Sequence, residues 1–259
     1  MLNQLFRVFS LGASLGDKLK ITCFYAILFI KRRIGFGSTF AHPWRVHIRF
    51  EGKVYEFYLA ALLDIHILRE MFVDEHYRMP SDESVQRVID LGSNIGGSLV
   101  YFAHKFPHAR IIAVEPHPFC LHLLRLNAKQ FGDRVEVVAA AVCAEAGEVT
   151  LYPNGEHWSA SVIHRRGDSS GFAVTCMTLR DILGRFEGDQ VDLMKCDIEG
   201  AEFDVFTPQE TSRIRRFIGE VHPTVAKRSV AEFVALFPQH HLIREDAVGE
   251  HVHVELVIE

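Results

Sequence analysis

A short segment that begins at residue 90, directly after an apolar stretch, combines an acidic residue with two glycines. The segment Asp90-Leu-Gly92-Ser-Asn94-Ile-Gly96 ends a predicted strand and precedes a predicted helix. Glycines at such a turn let the backbone approach a ligand closely, at the N-terminus of the helix. The spacing lacks the G-x-G-x-x-G pattern of dinucleotide-binding turns. Because a carboxylate at the strand end repels pyrophosphate, Asp90 is better suited to a cationic amino-acid ligand.

A second acidic residue stands at the end of the next predicted strand. Glu115 follows the apolar residues 111–114 and precedes Pro116. An acid in this position is placed to bind the ribose hydroxyls of an adenosine. Because nucleoside cofactors in general share this placement, Glu115 alone does not choose among them.

Two later strands end in polar pairs. An apolar strand over residues 191–196 contains Lys195 and is followed by Asp197. Another over residues 217–221 contains Glu220 and is followed by His222. Residues two apart in a strand point to the same face, which predicts that Lys195 pairs with Asp197. Ligands of open α/β sheets bind at the carboxyl ends of the strands. His222 is therefore a candidate proton acceptor near neutral pH.

The elements that position these residues alternate between strand and helix from residue 85 onward. The predicted central strands lie at residues 88–91, 111–114, 135–140, 191–196 and 217–221. Alternation of this kind predicts a parallel sheet covered by helices on both faces. Further predicted elements are added β-structure at 149–152, 160–164 and 172–177, a helix at 225–237, and a closing strand pair at 241–244 and 252–258.

Taken together, these motifs resemble the FkbM family of S-adenosylmethionine-dependent methyltransferases over roughly residues 55–225. The residues that carry the resemblance are Asp90-x-Gly92-x-Asn94-x-Gly96, Glu115-Pro116, Lys195-x-Asp197-x-Glu199-Gly200-x-Glu202 and Glu220-x-His222. The resemblance implies a class I methyltransferase (Rossmann-like) α/β fold with a seven-stranded, mostly parallel, doubly wound sheet. It also implies O-methylation of a hydroxyl on a sugar, glycan or glycolipid, or secondary metabolite.

The resemblance further implies S-adenosyl-L-methionine as the cofactor. The residues assigned to binding it are Asp90, Gly92, Ser93, Asn94, Gly96 and Glu115, with Ala141 near the adenine. Acceptor activation is assigned to His222 or Asp197, oriented by Glu220 and Lys195. No metal ion is assigned, and the alternative is Mg²⁺ held by Asp197, Glu199 and Glu220, which are hard oxygen ligands. The remaining histidines, including His240-His241 and His251/His253, show no compelling metal-ligand spacing.

Two other function classes stay open at the level of sequence. One is an NAD(P)-dependent Rossmann oxidoreductase, which shares the sheet and the Glu115 position but has a different glycine spacing. The other is a non-catalytic protein that binds an adenosine ligand. The polar groups between Lys195 and Glu202, together with Glu220 and His222, favour an enzyme, because a non-catalytic binding protein has no need of them.

The first 36 residues differ in charge from the remainder of the chain. They hold six Lys/Arg and one Asp, whereas the other residues hold 22 basic and 32 acidic side chains. An apolar run at residues 21–30 is flanked by Lys18 and Lys20 and by residues 31–33, and ten helical residues reach only about half of a bilayer core. Two alternatives remain: a helix packed on the body or on a second subunit, and a helix that lies in a membrane interface. The predicted organisation is a basic segment at 1–36, a hairpin-plus-helix cap at 37–80 and a cofactor-binding domain at 81–259.

Composition narrows the remaining choices. The chain has 259 residues, 48% apolar and 24% charged, which is typical of a globular protein. The excess of acidic side chains in residues 37–259 argues against nucleic-acid binding. Five cysteines with no C-x-x-C pair predict neither a disulfide framework nor a structural zinc site, and favour a cytoplasmic location, peripheral on the membrane under the second alternative. The sequence leaves open whether the chain forms a homo-oligomer.

Overall fold

The structure is a computed structural model that describes residues 2–153, 160–161, 171–188, 190–249 and 251–258. It begins with two helices, α1 (Leu2–Ser10) and α2 (Leu15–Arg33). Ser14 caps α2, because its Oγ accepts a hydrogen bond from the backbone N–H of Asp17. The predicted apolar run therefore belongs to a longer helix. Within the described ranges, no helix combines the length and the apolar character needed to cross a membrane.

The two faces of α2 have different surroundings. Phe24 and Leu28 are fully buried in the hydrophobic core, and the Phe24 ring lies 5.8 Å from the ring of Trp44. A helix that lies in a membrane interface would bury Phe24 and Leu28 among the lipid acyl chains. This expectation is wrong for both residues, because they pack against the rest of the protein. The outer face of α2 exposes an apolar row at helical spacing, formed by Leu15, Leu19, Ile27 and Ile30 and continued by Ile34 directly after the helix.

A β-hairpin follows, as the alternation of residues predicts. Strands β1 (Thr39–Phe50) and β2 (Lys53–Ala61) pair antiparallel. Glu51 and Gly52 form the turn with φ of 42° and 83°, as two-residue hairpin turns require. Helix α3 (Asp64–Phe72) comes next.

The central sheet has the order expected from alternating strands and helices. After the hairpin the strands are, in chain order, β3 (Arg87–Leu91), β4 (Arg110–Val114), β5 (Val135–Val138), β6 (Ala141–Cys143), β7 (Gly147–Pro153), β8 (Ala160–Ser161), β9 (Phe172–Thr178), β10 (Leu193–Cys196), β11 (Arg216–Val221), β12 (His241–Val248) and β13 (His251–Val257). Seven of them form one sheet in the order β12-β13-β11-β10-β3-β4-β5. Strands β3, β4, β5, β10 and β11 pair in parallel, and β13 runs antiparallel between β11 and β12. This confirms the predicted seven-stranded, mostly parallel α/β fold.

Helices cover this sheet on both faces. They are α4 (Gly97–Lys105), α5 (Pro118–Ala128), α6 (Leu179–Leu183), α7 (Glu202–Val205), α8 (Pro208–Thr211), α9 (Pro223–Ala226) and α10 (Val230–Val234). Alternate residues of the strands enter different cores, since Val88 and Ile218 pack in the core that contains the hairpin, whereas Ile89 and Phe217 pack in the core on the opposite face. Asp90, Lys195 and Glu220 have the parity of Val88 and Ile218, so they lie on the hairpin side of the sheet.

A second, smaller sheet has the order β6-β9-β7-β8. It contains the predicted added β-structure, although residues 162–164 of that prediction lie outside the described residues. Cys143 on β6 and Cys176 on β9 form a disulfide with a Cα–Cα distance of 5.9 Å. The expectation that the cysteines form no disulfide is therefore wrong for this pair, because neighbouring strands bring the two residues within bridging distance.

Candidate active site

The glycine-rich turn after β3 has a backbone conformation that its sequence requires. Gly92 has a φ of 73°, and a Cβ at this position would lie 1.8 Å from the carbonyl oxygen of Asp197. Gly96 has a φ of 93° and caps the N-terminus of α4. The backbone N–H groups of Gly92 and Ser93 both donate to the carbonyl of Val114 at 3.0 Å. The turn is thereby held tightly against the ends of β4 and β10.

Asp90 and Lys195 form a buried ion pair beneath this turn. The two residues are neighbours in the parallel register of β3 and β10, and Lys195 Nζ lies 3.3 Å from Asp90 Oδ1. Ser98 Oγ donates to Asp90 Oδ2 at 2.7 Å, and Lys195 Nζ donates to the carbonyl of Gly92 at 2.6 Å. Burial lowers the pKa of Lys195, but Asp90 and Asp197 outweigh this effect and raise it, so the amine stays charged. The predicted Lys195–Asp197 pair is wrong, because Lys195 pairs with Asp90.

A cleft opens beside the turn, at the carboxyl ends of the parallel strands. Its lining includes the predicted site residues Gly92, Asn94, Glu115, Ala141 and Asp197. Asp90, Ser93 and Gly96 are not among the residues that line it. They stabilise the turn itself, where Ser93 Oγ donates to the carbonyl of Asp90 at 2.8 Å. A direct contact between these three residues and the cofactor thus stays a prediction.

Glu115 lies in the wall of the cleft and holds the turn through its carboxylate. The backbone N–H groups of Asn94 and His117 donate to its two oxygens at 2.9 and 2.8 Å. Burial raises the pKa of Glu115 to about 7, although these two hydrogen bonds oppose the shift. A carboxylate oxygen can accept two hydrogen bonds, so each Glu115 oxygen retains capacity for a ligand hydroxyl.

The cleft has the chemistry that S-adenosylmethionine requires. Asn94 Oδ1 and Asp197 Oδ1 are buried and accept no hydrogen bond from any described residue, although buried polar atoms are normally paired. Ala141, Val142 and Leu151 provide an apolar wall for a purine ring. Polar acceptors at one side and apolar carbons at the other match the hydroxyls and ammonium group of the cofactor and its adenine.

A cluster of acidic and imidazole groups adjoins the polar end of the cleft. Atoms of Asp197, Glu220 and His222 lie within 4.8 Å of one another. His222 Nδ1 lies 2.9 Å from Glu202 Oε1, so Glu202, and not Glu220 as predicted, orients the imidazole. Burial lowers the pKa of His222, but the hydrogen bond to Glu202 and the nearby carboxylates outweigh it and raise the pKa to about 9.

Sequence reasoning missed several residues of this region. Glu202 was part of a recognised motif, but its partner His222 comes from a different strand. The predicted ligand set for Mg²⁺ included Glu199, whereas His222 joins Asp197 and Glu220 in the group that the described residues form. His76, His251 and His253 also surround Glu220. The H-x-H spacing of His251 and His253 on one strand was the available signal.

Comparisons with known proteins agree with this arrangement. Residues 90–247 match the methyltransferase FkbM domain. Methyltransferase sdnD of Sordaria araneosa is 29% identical over 54% of this chain and 66% of its own length. The 31-O-demethyl-FK506 methyltransferase FkbM of Streptomyces tacrolimicus is 26% identical over 67% of this chain and 80% of its own. This chain therefore spans just under two thirds of the first of these relatives.

Among solved structures, Aeropyrum pernix fibrillarin with bound S-adenosyl-L-methionine superposes with a TM-score of 0.45 and 11% identity, over 85% of this chain and 97% of its own. The domain match covers more than half of the sequence and includes the glycine-rich turn, the cleft and the polar cluster. The chain thus belongs to the FkbM family of S-adenosylmethionine-dependent methyltransferases.

Proposed function

We propose that this protein transfers the methyl group of S-adenosylmethionine to a hydroxyl oxygen of a sugar, glycan or glycolipid, or secondary metabolite. The observation that carries the proposal is Asp197, which lines the cleft and also belongs to the polar cluster with Glu220 and His222. The name of the Streptomyces relative describes methylation at an oxygen, which supports the same chemistry. Family membership sets aside the oxidoreductase alternative.

The bound cofactor supplies an electrophilic methyl group on a sulfonium. The chain's own residues must align the acceptor oxygen behind that methyl and remove its proton. Asp197 is the better placed proton acceptor, since its Oδ1 accepts no hydrogen bond from a described residue and it lines the cleft. His222 is held at Nδ1 by the fully buried Glu202 and orients the acceptor beside Asp197.

Transfer of an isotopically labelled methyl group tests the proposal. The wild-type protein is incubated with methyl-labelled S-adenosylmethionine and a panel of hydroxylated sugars, glycolipids and metabolites, and products are read by mass spectrometry. Asp197→Asn should lower turnover by about 10²–10⁴-fold, the usual contribution of a general base, which is a much larger effect than any loss of cofactor affinity measured by calorimetry. Asp133→Asn, an exposed site, is the matched control. Label found on nitrogen or carbon, or cofactor binding without any turnover on the panel, would count against O-methylation.

The outer face of α2 suggests where the acceptor is met. We propose that its exposed apolar row contacts an anionic membrane surface, with neighbouring basic residues at headgroup level. The first 36 residues carry a net charge of +5, from six basic residues and one acidic residue, whereas the body is acidic. Each basic residue near an anionic surface contributes about 1 kcal/mol, and salt screens this attraction. Such a location would suit an acceptor that is itself lipid-linked.

A surface substitution tests this contact better than truncation. Removing residues 1–37 would take Phe24 and Leu28 out of the hydrophobic core, uncover the side chains that pack against them and so perturb the fold. Leu19→Ser with Ile30→Ser keeps the inner face and should weaken sedimentation with phosphatidylserine-containing vesicles, by roughly fivefold per residue if each loses about 1 kcal/mol of apolar burial. Val54→Ser, at an exposed hairpin position, is the control. Binding that is insensitive to salt and to both substitutions would refute the contact, and dimer loss in the double variant would assign the face to a second subunit.

A further inference from the structure

Four potential metal ligands converge beside the polar cluster. Glu220 lies on β11, and His253 faces it directly in the antiparallel register of β13. His251 is two residues earlier on β13 and therefore shares the face of His253. His76 comes from the loop after α3, where Glu75 has a φ of 46°. Three segments that are distant in sequence thus deliver three imidazoles and one carboxylate to one place.

The distances within this group match those of a coordination shell. The Nε2 atoms of His251, His253 and His76 lie 3.3, 3.7 and 3.9 Å from oxygens of Glu220. Four ligands in a tetrahedron, each about 2.1 Å from a zinc ion, are separated from one another by about 3.4 Å. The Nε2 atoms of His76 and His253 are in direct contact and would move apart slightly to admit an ion.

The imidazole Nε2 atoms of this group lie close to one another and to Glu220. Two imidazole Nε2 atoms that face each other repel through their lone pairs unless one carries a proton. His253 is almost fully buried. His251 Nε2 is also buried and, although it lies 3.3 Å from a Glu220 oxygen, it makes no hydrogen bond of suitable geometry to the residues that the structure describes. A metal ion among these nitrogens would accept the lone pairs that otherwise face one another.

We propose that His76, Glu220, His251 and His253 bind one divalent transition-metal ion of the zinc class. Three imidazole nitrogens favour such an ion over Mg²⁺ or Ca²⁺, which prefer oxygen ligands. Glu220 belongs both to this site and to the cluster with Asp197. The ion would therefore hold Glu220 in place beside Asp197 and so, resting on the methyl transfer proposed above, would help to position the acceptor without coordinating it.

Cobalt provides a direct probe on the wild-type protein. The chain is treated with a chelator, and Co²⁺ is then titrated while visible absorption is recorded, followed by competition with Zn²⁺ and with Mg²⁺. We expect one Co²⁺ per chain with the intense absorption of a low-coordinate site, displacement by Zn²⁺, and little displacement by Mg²⁺. X-ray absorption at the bound metal should report imidazole ligands. No binding, or a site with oxygen ligands only, would overturn the proposal.

Substitutions locate the ion within the molecule. His251→Ala should weaken Co²⁺ binding at least about 100-fold, because loss of a direct ligand exceeds the usual effect of losing its supporting partners. His241→Ala, on the exposed neighbouring strand β12, should change nothing. If Asp197→Asn abolishes binding and His251→Ala does not, the ion lies in the other cluster and the assignment is wrong. Cofactor affinity measured on the same samples separates failure of the metal site from failure of the proposed methyl transfer.

Discussion

Replacing Lys195 by methionine should destabilise the protein much more than a change at a catalytic side chain would. The side chains of Asp90 and Lys195 are almost completely removed from solvent, and they lie 3.3 Å apart. Removing one partner of a buried pair leaves the other charge uncompensated, which costs about 3–5 kcal/mol. The Gly92 carbonyl also loses Lys195 Nζ as its donor, whereas the Leu91 carbonyl keeps the backbone N–H of Asp197. The glycine-rich turn should loosen as a result, and cofactor affinity should fall with stability.

A double-mutant cycle separates this explanation from a catalytic role. Asp90→Asn and Lys195→Met should each cost several kcal/mol in the free energy of unfolding. The double variant has no charge left at this pair, so it should lose only about 1–3 kcal/mol, mainly because the Gly92 carbonyl loses Lys195 as its donor. Equilibrium urea unfolding of all four proteins measures the coupling. If the losses in unfolding free energy of the two single variants simply add in the double variant, the two residues do not form the proposed ion pair. A stable but inactive Lys195→Met protein would restore the catalytic assignment of Lys195.

Three further changes test other parts of the structure. Gly92→Ala should weaken cofactor binding in calorimetry by at least tenfold, because its Cβ would meet the Asp197 carbonyl. Gly52→Ala is the control: Gly52 also has a positive φ, but a Cβ there would meet open space, so cofactor binding should not change. His222→Gln retains a donor for Glu202 but loses the positive charge, so turnover should fall while cofactor affinity holds; equal loss of both would contradict a role in acceptor alignment. Burial raises the pKa of Asp64 from 3.8 to about 7, so this group's contribution to stability is complete below pH 3.8 and is lost as the pH rises through 7. Asp64→Asn should remove that loss, and a melting-temperature difference from wild type that does not vary between pH 5 and 8 would contradict it.

The order of secondary structure could be predicted from the sequence because each element carries its own local pattern. The strands at 88–91 and 111–114 are apolar runs next to turn residues, and the structure has strands at both positions. The single helix predicted over 225–237 is instead two short helices, since Lys227 adopts a φ of 55°. Ser229 then starts the second helix through a capping box with Glu232, a signal that is visible in the sequence.

The partners of the charged residues could not be predicted in the same way. Alternation along β10 predicts that Lys195 and Asp197 share a face, but the strand ends at Cys196 and the register with β3 places Lys195 beside Asp90. Likewise, Glu202 contacts His222 across two segments that a sequence pattern treats separately. Periodicity within one strand gives the face of a residue, whereas the register between strands decides which charges meet.

The antiparallel strand β13 explains why histidines near the end of the chain reach a site built from strand ends. In the parallel strands β3, β10 and β11, only residues at the carboxyl end lie at the ligand edge of the sheet. Because β13 runs in the opposite direction, its first residues lie at that same edge, and Val252 and His253 pair with Val221 and Glu220. His251 and His253 therefore occupy positions that no parallel strand could fill with its opening residues. The H-x-H pattern becomes informative only once the direction of this strand is known, and that direction places the two imidazoles beside Glu220.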